Sequence, residues 1–394
     1  LSPTTMTPLE RRSSMSLALI FALRMLGLFV VLPVFALEAA RYPGGNDPAL
    51  VGLALGAYGL TQALLQLPLG LASDRFGRKR VIVAGLAVFA AGSLVAALAD
   101  SVWGLLLGRA LQGAGAVSAA VTALLADQTR DVVRTKAMAL VGASIGLMFM
   151  LALVIAPPMA ARWGLPGLFG LTFALATAGI AVVLWVVPPE QAHAQSRALA
   201  PLSELLKHAD LLRLNAGVFV LHTVQIAMWV AVPALLVQAG LPSATHWHVY
   251  LPAMLLAFAM MGGLFSLERA GRLRAALLGS IILVLIAQVG FAVLSGLPSP
   301  AAPWLFGVLL FIFFVGFNAL EASQPSLVSR MAPAPLRGAA LGAYNTLQSL
   351  GLFAGGVLGG ALAKTVGATG LFAATAVLCS VWLALSWRLR PVAR

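Results

Sequence analysis

The sequence predicts an all-α membrane protein, with twelve transmembrane helices in two pseudo-symmetric six-helix bundles. Three observations predict it. First, 61% of the 394 residues are hydrophobic, 9% are charged, and the mean hydropathy is +0.98; soluble domains carry about 25% charged residues. Second, apolar runs near the roughly 20 residues needed to cross a hydrocarbon core recur twelve times. Third, a short basic motif returns at the matching loop of each half. The composition excludes a soluble enzyme, a disordered chain and a secreted disulfide scaffold. Cys379 is the only cysteine, so neither an internal disulfide nor a cysteine zinc site is expected.

Charge clusters and Pro, Gly, Asn and Asp breaks delimit the spans in order: 15–37, 49–73, 81–99, 102–126, 137–160, 166–187, 214–239, 248–267, 275–297, 304–327, 338–363 and 367–387. The polar stretch 188–213, beginning Pro188-Pro189-Glu190, divides them six and six. The expected organisation is an N-terminal bundle over 1–187, a cytoplasmic linker over 188–213 and a C-terminal bundle over 214–394. The first apolar stretch lacks a small-residue cleavage site and is long enough to span, so no cleavable signal peptide is expected. Residues 1–5 precede Met6 and read as a start-site artefact. Pro33, Pro68, Pro157, Pro233 and Pro325 stand near span ends or kinks.

Orientation follows from basic residues. Twelve spans put both termini on one side. That side holds twenty Lys and Arg, and the opposite side holds only Arg41, Arg162 and Lys364. This bias places both termini in the cytoplasm. The net charge of +13 is therefore a topology signal and does not point to nucleic acid.

The loop after span 2 reads Asp74-Arg75-Phe76-Gly77-Arg78-Lys79-Arg80, and the loop after span 8 reads Glu268-Arg269-Ala270-Gly271-Arg272-Leu273-Arg274. The pattern acid-Arg-x-Gly-Arg-x-Arg thus recurs at the equivalent loop of each half, as a duplication would place it; parallel repeats are a known transporter architecture. The stretch Gly70 to Lys79 resembles motif A of the major facilitator superfamily. Leu105 to Ala116, with Arg109, Gln112, Gly113 and Gly115, resembles the family's fourth-helix motif. The resemblance covers the whole chain and is closest to the YajR-type inner-membrane transporters of the drug/proton antiporter group, through Leu23 to Gly27, Tyr58 to Gln62 and Thr135 to Ala139. The extra C-terminal domain of that type is expected to be absent, since the sequence stops at Arg394.

The resemblance implies a multi-pass protein of the bacterial cytoplasmic (inner) membrane. It implies that Asp74 and Arg78, with Gly70, Arg75 and Gly77, form a conformational latch on the cytoplasmic side, which Asp127 joins. In the second half Leu264 replaces the matching glycine, so Glu268 and Arg272 read as a weaker copy. The exporters' span-5 motif is degenerate here. Ala143, Ala152, Ala156, Ala160 and Ala161 stand where it has glycine, and Pro157 is kept. This is either an exporter motif in stiffer form or ordinary alanine helix packing, since small residues of either kind allow close approach.

Ionisable groups at bilayer depth are costly and therefore functional candidates. Arg24, Arg109, His222 and Glu321 fall on spans 1, 4, 7 and 10, the spans that line the central cavity in the resembling fold. They and Asp127 are the proton-coupling candidates. Glu321 is either a proton carrier or a structural acid paired with Arg24 or Arg109. His222 has the unperturbed pKa of a switch, or it is a hydrogen-bonded packing residue. Arg24 could hold a counter-charge for Glu321 or bind an anionic substrate. Substrate-cavity candidates are Tyr58, Gln62, Gln66, Gln112, Gln225, Trp229, Asn318, Tyr344, Asn345 and Gln348. Amide and aromatic groups with few charges suit a neutral, cationic or amphipathic organic molecule better than a sugar.

No phosphate-binding glycine loop, metal-ligand spacing or catalytic triad motif occurs. No cofactor, metal or enzymatic activity is expected. The expectation is a monomeric proton-coupled secondary transporter of small organic compounds, with the substrate, protons and the lipid bilayer as partners. The alternatives are a proton-independent facilitator or importer of a small metabolite, and a transporter-like sensor without flux.

Overall fold

The computed structural model describes residues 5–190, 202–269, 272–333 and 336–389. Residues 1–4 of the stretch before Met6, most of the linker (191–201) and Ala270 and Gly271 of the repeated motif lie outside the described residues, as do the side chains of Leu264 and Glu268.

Helices account for all twelve predicted spans. Span 1 is α1 (Pro8–Phe29) with the short α2 (Phe35–Ala39), and spans 2 and 3 are α3 (Pro48–Phe76) and α4 (Arg78–Ala97). Span 4 is broken into α5 (Val102–Ala114) and α6 (Ser118–Asp127). Spans 5 and 6 are the two arms of α7 (Asp131–Trp185). Spans 7 to 10 are α8 (Ala209–Gln238), α9 (Trp247–Arg269), α10 (Leu273–Ser295) and α11 (Pro303–Met331), and spans 11 and 12 are the arms of α12 (Arg337–Ser386).

The breaks have local causes. α1 begins seven residues before the predicted span because Thr7 and Glu10 form a reciprocal capping box. Charges in its first turn cost little at a wet helix end. The turn after Phe29 contains Pro33, which has no N–H to continue the ladder. In α7 and α12 the chain reverses at a single residue, Gly164 (φ 61°) and Gly367 (φ 68°), in a backbone region that glycine enters freely. The two glycines occupy the same place in each half.

Packing repeats in the same way. Residues Leu1–Gly45 and Ala57–Arg197 form one compact unit, and Asn46–Gly56 with Ala198–Arg394 form a second. In the first unit α7 packs against α1 and α4, and α4 also packs against α5; in the second, α12 packs against α8 and α10, and α10 also packs against α11. This is the same arrangement of spans 1, 3, 4 and 5–6 and of spans 7, 9, 10 and 11–12. The first turns of α3 pack in the second unit against α12, where a Cβ on Gly52 would stand 2.2 Å from the Gly356 carbonyl oxygen. Asp47 pairs there with Lys364 at 3.1 Å.

Exposed tryptophans cluster at the helix ends. Trp103, Trp163 and Trp304 lie toward the loops poor in Lys and Arg, and Trp185 and Trp387 toward the basic loops. Amphipathic rings favour these two interfacial levels.

One prediction follows from this packing. A Cβ on Gly113 of α5 would meet the Tyr58 carbonyl oxygen at 2.1 Å, whereas one on Gly142 meets nothing within 4 Å. Gly113→Val should lower the unfolding temperature in detergent, at an overpacking cost of about 1–3 kcal/mol or more, and Gly142→Ala should leave it unchanged. Glu38 of α2 is buried beside the exposed Arg41 at 3.4 Å.

Candidate functional site

Three polar clusters hold the functional candidates. The first is the turn from α3 to α4, which consists of one residue. Gly77 has φ 100° and no Cβ to strain. It delivers Arg78 at the first position of α4. The Arg78 guanidinium forms an ion pair with Asp74, reaches Asp127 Oδ2 at 3.1 Å and donates to Ser73 Oγ at 2.7 Å. One cation thus bridges the ends of α3 and α6. The Glu190 carboxylate accepts from the backbone N–H groups of Arg78 (3.1 Å) and Lys79 (2.5 Å), so a linker residue caps the N-terminus of α4. Arg75 is exposed over the Phe76 ring, 5.3 Å from its centroid. At Gly70 an added Cβ would just touch Ala119 at 3.4 Å. In the second half Arg272 is exposed at the start of α10.

The second cluster lies inside the first unit. Arg24 and Arg109 are each 1% exposed. Arg24 donates to Tyr58 Oη at 2.7 Å and to Ser118 Oγ at 2.9 Å. Arg109 lies over the face of the same tyrosine, 5.0 Å from its centroid, and donates to Gln112 Oε1 at 3.0 Å. Gln112 is fully buried; its amide reaches Ser93 Oγ at 2.9 Å and Thr172 Oγ1 at 3.4 Å. The predicted cavity residue is thus committed to internal hydrogen bonds. Gln62 is half-buried and Gln66 buried on the following turns of α3.

The third cluster lies inside the second unit. His222 of α8 is buried, with Nδ1 3.0 Å from the Val218 carbonyl oxygen. A carbonyl only accepts, so Nδ1 carries a proton. Nε2 then faces two groups: the Gln348 amide nitrogen of α12 at 2.9 Å and Glu321 Oε1 of α11 at 3.3 Å. Glu321 has a side chain one-third exposed. The sequence left open whether it pairs with Arg24 or Arg109; within its own unit its partner is His222. One turn before Gln348 on α12, Tyr344 is buried and donates to Gln324 Oε1 at 3.2 Å.

The other cavity candidates are scattered. Gln225 and Trp229 are buried in α8, with Trp229 edge-on to Tyr250 at 5.4 Å. Asn318 points its amide at Met254 Sδ, 3.7 Å away, and Asn345 is exposed. Of the span-5 alanines, Ala152, Ala156 and Ala160 form a buried ridge, since a spacing of four keeps them on one helix face. Ala143 and Ala161 are exposed.

Ser73, Ser118, Gln324 and Glu190 were missed in the sequence. Gln324 could have been found three residues after Glu321 on the same helix face. Glu190 could have been found as the first acid after span 6, available to a helix N-terminus. Nothing local marks Ser73 or Ser118.

The model of the Major Facilitator Superfamily matches residues 17–356. The chain is 45% identical over 386 residues to the inner membrane transport protein YajR of Escherichia coli, covering 97% of this chain and 84% of YajR. It is 28% identical over 349 residues to the multidrug resistance protein MdtH of Proteus mirabilis, covering 85% and 82% of the two chains. A solved bacterial homologue of the human lysosomal transporter Spinster shares the fold with a TM-score of 0.77 at 16% identity, covering 97% of each chain. Fold, paired repeats and sequence agree, and the chain belongs to the major facilitator superfamily of membrane transporters.

Proposed function

We propose that the chain is a proton-coupled secondary transporter of a bacterial inner membrane, with both termini cytoplasmic, that exports small organic or amphipathic compounds by alternating access. The observation that carries the coupling is the His222–Glu321–Gln348 cluster. With Nδ1 committed to Val218, neutral His222 accepts at Nε2 from the Gln348 amide. A second proton turns Nε2 into a donor. Its acceptor is then Glu321 Oε1, 3.3 Å away, and Gln348 must turn its carbonyl oxygen toward the ring or move off. One proton therefore rewires side chains on spans 7, 10 and 11. Moving one charge through 100 mV supplies about 2.3 kcal/mol, and a pH gradient adds to it. The likeness to a multidrug resistance protein supports export, as does the retained Pro157. The Arg78 bridge, which joins the ends of α3 and α6 through Asp74 and Asp127, is the latch of the cycle in this reading, as the resemblance of this loop to motif A implies.

In proteoliposomes, Glu321→Gln should reduce transport driven by a pH gradient at least tenfold while leaving substrate exchange without a gradient intact. Gradient-driven transport at the wild-type rate would remove Glu321 from the coupling. Wild-type transport that ignores a collapsed proton gradient would identify a facilitator instead. Arg78→Ala should change the labelling rates of single cysteines placed on the two membrane faces, without loss of substrate binding. Unchanged accessibility on both faces would refute the latch.

A further inference from the structure

The mechanism above makes no use of Arg24. It is 1% exposed in the C-terminal third of α1. Its partners are two neutral hydroxyls, Tyr58 Oη and Ser118 Oγ, and its Nε is buried without any partner. Among the described residues no carboxylate lies within ion-pair distance of it. The acids of the same unit stand at the helix ends: Glu10 holds Arg130, Glu38 holds Arg41, Asp74 and Asp127 hold Arg78, Glu190 caps α4, Asp100 is exposed in the turn between α4 and α5, and Asp131 is the first residue of α7. A desolvated cation without a counter-charge costs several kcal/mol.

The surroundings are built for an anion. Tyr58 Oη and Ser118 Oγ both accept from the guanidinium, so each keeps its own O–H proton to donate, and among the described residues neither proton is taken by an acceptor. Ser118 is also the first residue of α6, where span 4 restarts after its break, and the cap residue Val117 gives no side-chain bond. The Ser118 hydroxyl on Arg24 thus places the positive N-terminal end of that half-helix beside the guanidinium. Arg109 adds a second cation over the face of the Tyr58 ring. Ser118 is partly exposed while Arg24 and Tyr58 are buried, so a ligand group enters from the Ser118 side.

We propose that Arg24, the Tyr58 and Ser118 hydroxyls and the N-terminus of α6 form an anion subsite that takes the carboxylate, or an equivalent oxyanion, of an organic substrate. The subsite rests on the transport reading and narrows its substrate class: the amphipathic compound carries a negative head. Guanidinium and hydroxyl donors bind an oxyanion by charge-assisted hydrogen bonds, and a neutral amide of the same shape loses most of that interaction.

The test uses the purified full chain in nanodiscs without any proton gradient, and reads ligand-induced shifts in unfolding temperature with benzoate, benzamide, benzylamine and chloride as probes. Benzoate should raise the temperature in a saturable way, with the other three giving little or no shift. Tyr58→Phe, Ser118→Ala and Arg24→Gln should each weaken benzoate about tenfold or more, since a hydrogen bond to a charged group contributes about one tenfold step. Tyr58→Phe and Ser118→Ala keep the test decisive if the arginine variant fails to fold. Equal shifts with benzoate and benzamide, a larger shift with benzylamine, or undiminished benzoate binding in the hydroxyl variants would overturn the subsite. An equal shift with chloride would reduce it to an inorganic counter-ion site and also overturn the organic substrate class. Glu321→Gln should bind benzoate as the wild type does, so a failure of proton coupling and a failure of the subsite give different results.

Discussion

A bilayer removes water as a hydrogen-bonding partner, so an ionisable group inside a span must be held by another side chain. The whole arrangement follows from that constraint. In the first unit the two buried arginines are held by one tyrosine, Arg24 through its hydroxyl and Arg109 through its ring face. In the second unit the buried histidine is held by Val218 and Gln348, with the glutamate 3.3 Å from its Nε2. Each cluster ties together helices distant in sequence: spans 1, 2 and 4 in one case, spans 7, 10 and 11 in the other.

The backbone obeys the same constraint. Helices satisfy their own polar groups, and the chain departs from helix within or between spans at few places. These departures include the turn after Phe29, the one-residue turn at Gly77, the break at Gly115–Val117, and the single-glycine reversals at Gly164 and Gly367. The break in span 4 leaves a half-helix N-terminus beside Arg24. The glycines around it permit the approach: a Cβ on Gly115 would stand 2.4 Å from the Gly85 carbonyl oxygen. Close packing and the functional site are therefore one feature of the sequence, carried by the glycines of the fourth-helix motif.

Much of this was legible in the sequence. Apolar length and charge clusters located the spans because solvation in lipid is decided residue by residue. The helices nevertheless run past the apolar stretches at Pro8 and Arg78, because charged residues are cheap at a wet helix end. The predicted loops at 161–165 and 364–366 are helix broken at one glycine, since a local polar signal does not say how tightly a chain turns. Arg24, Arg109, His222 and Glu321 stood out as charges in apolar surroundings. Their partners did not. His222 and Glu321 are far apart in the chain, and only the packing of α8 against α11 and α12 brings them within 3.3 Å. Ser118 was invisible because a serine in a span has many harmless uses. The depth of the cavity candidates was not legible either: Gln112 and Trp229 are fully buried, which residue type does not reveal.

The account rests most heavily on how His222 carries its proton. The direct measurement is nitrogen-15 nuclear magnetic resonance of labelled histidine in lipid bilayers, with His222→Gln identifying the signal and Glu321→Gln changing its neighbour. The account predicts a neutral ring protonated at Nδ1, bound to the Val218 carbonyl oxygen, and an Nε2 signal that changes in Glu321→Gln. A neutral form protonated at Nε2, or an Nε2 signal indifferent to Glu321, would contradict the proposed coupling of these two residues.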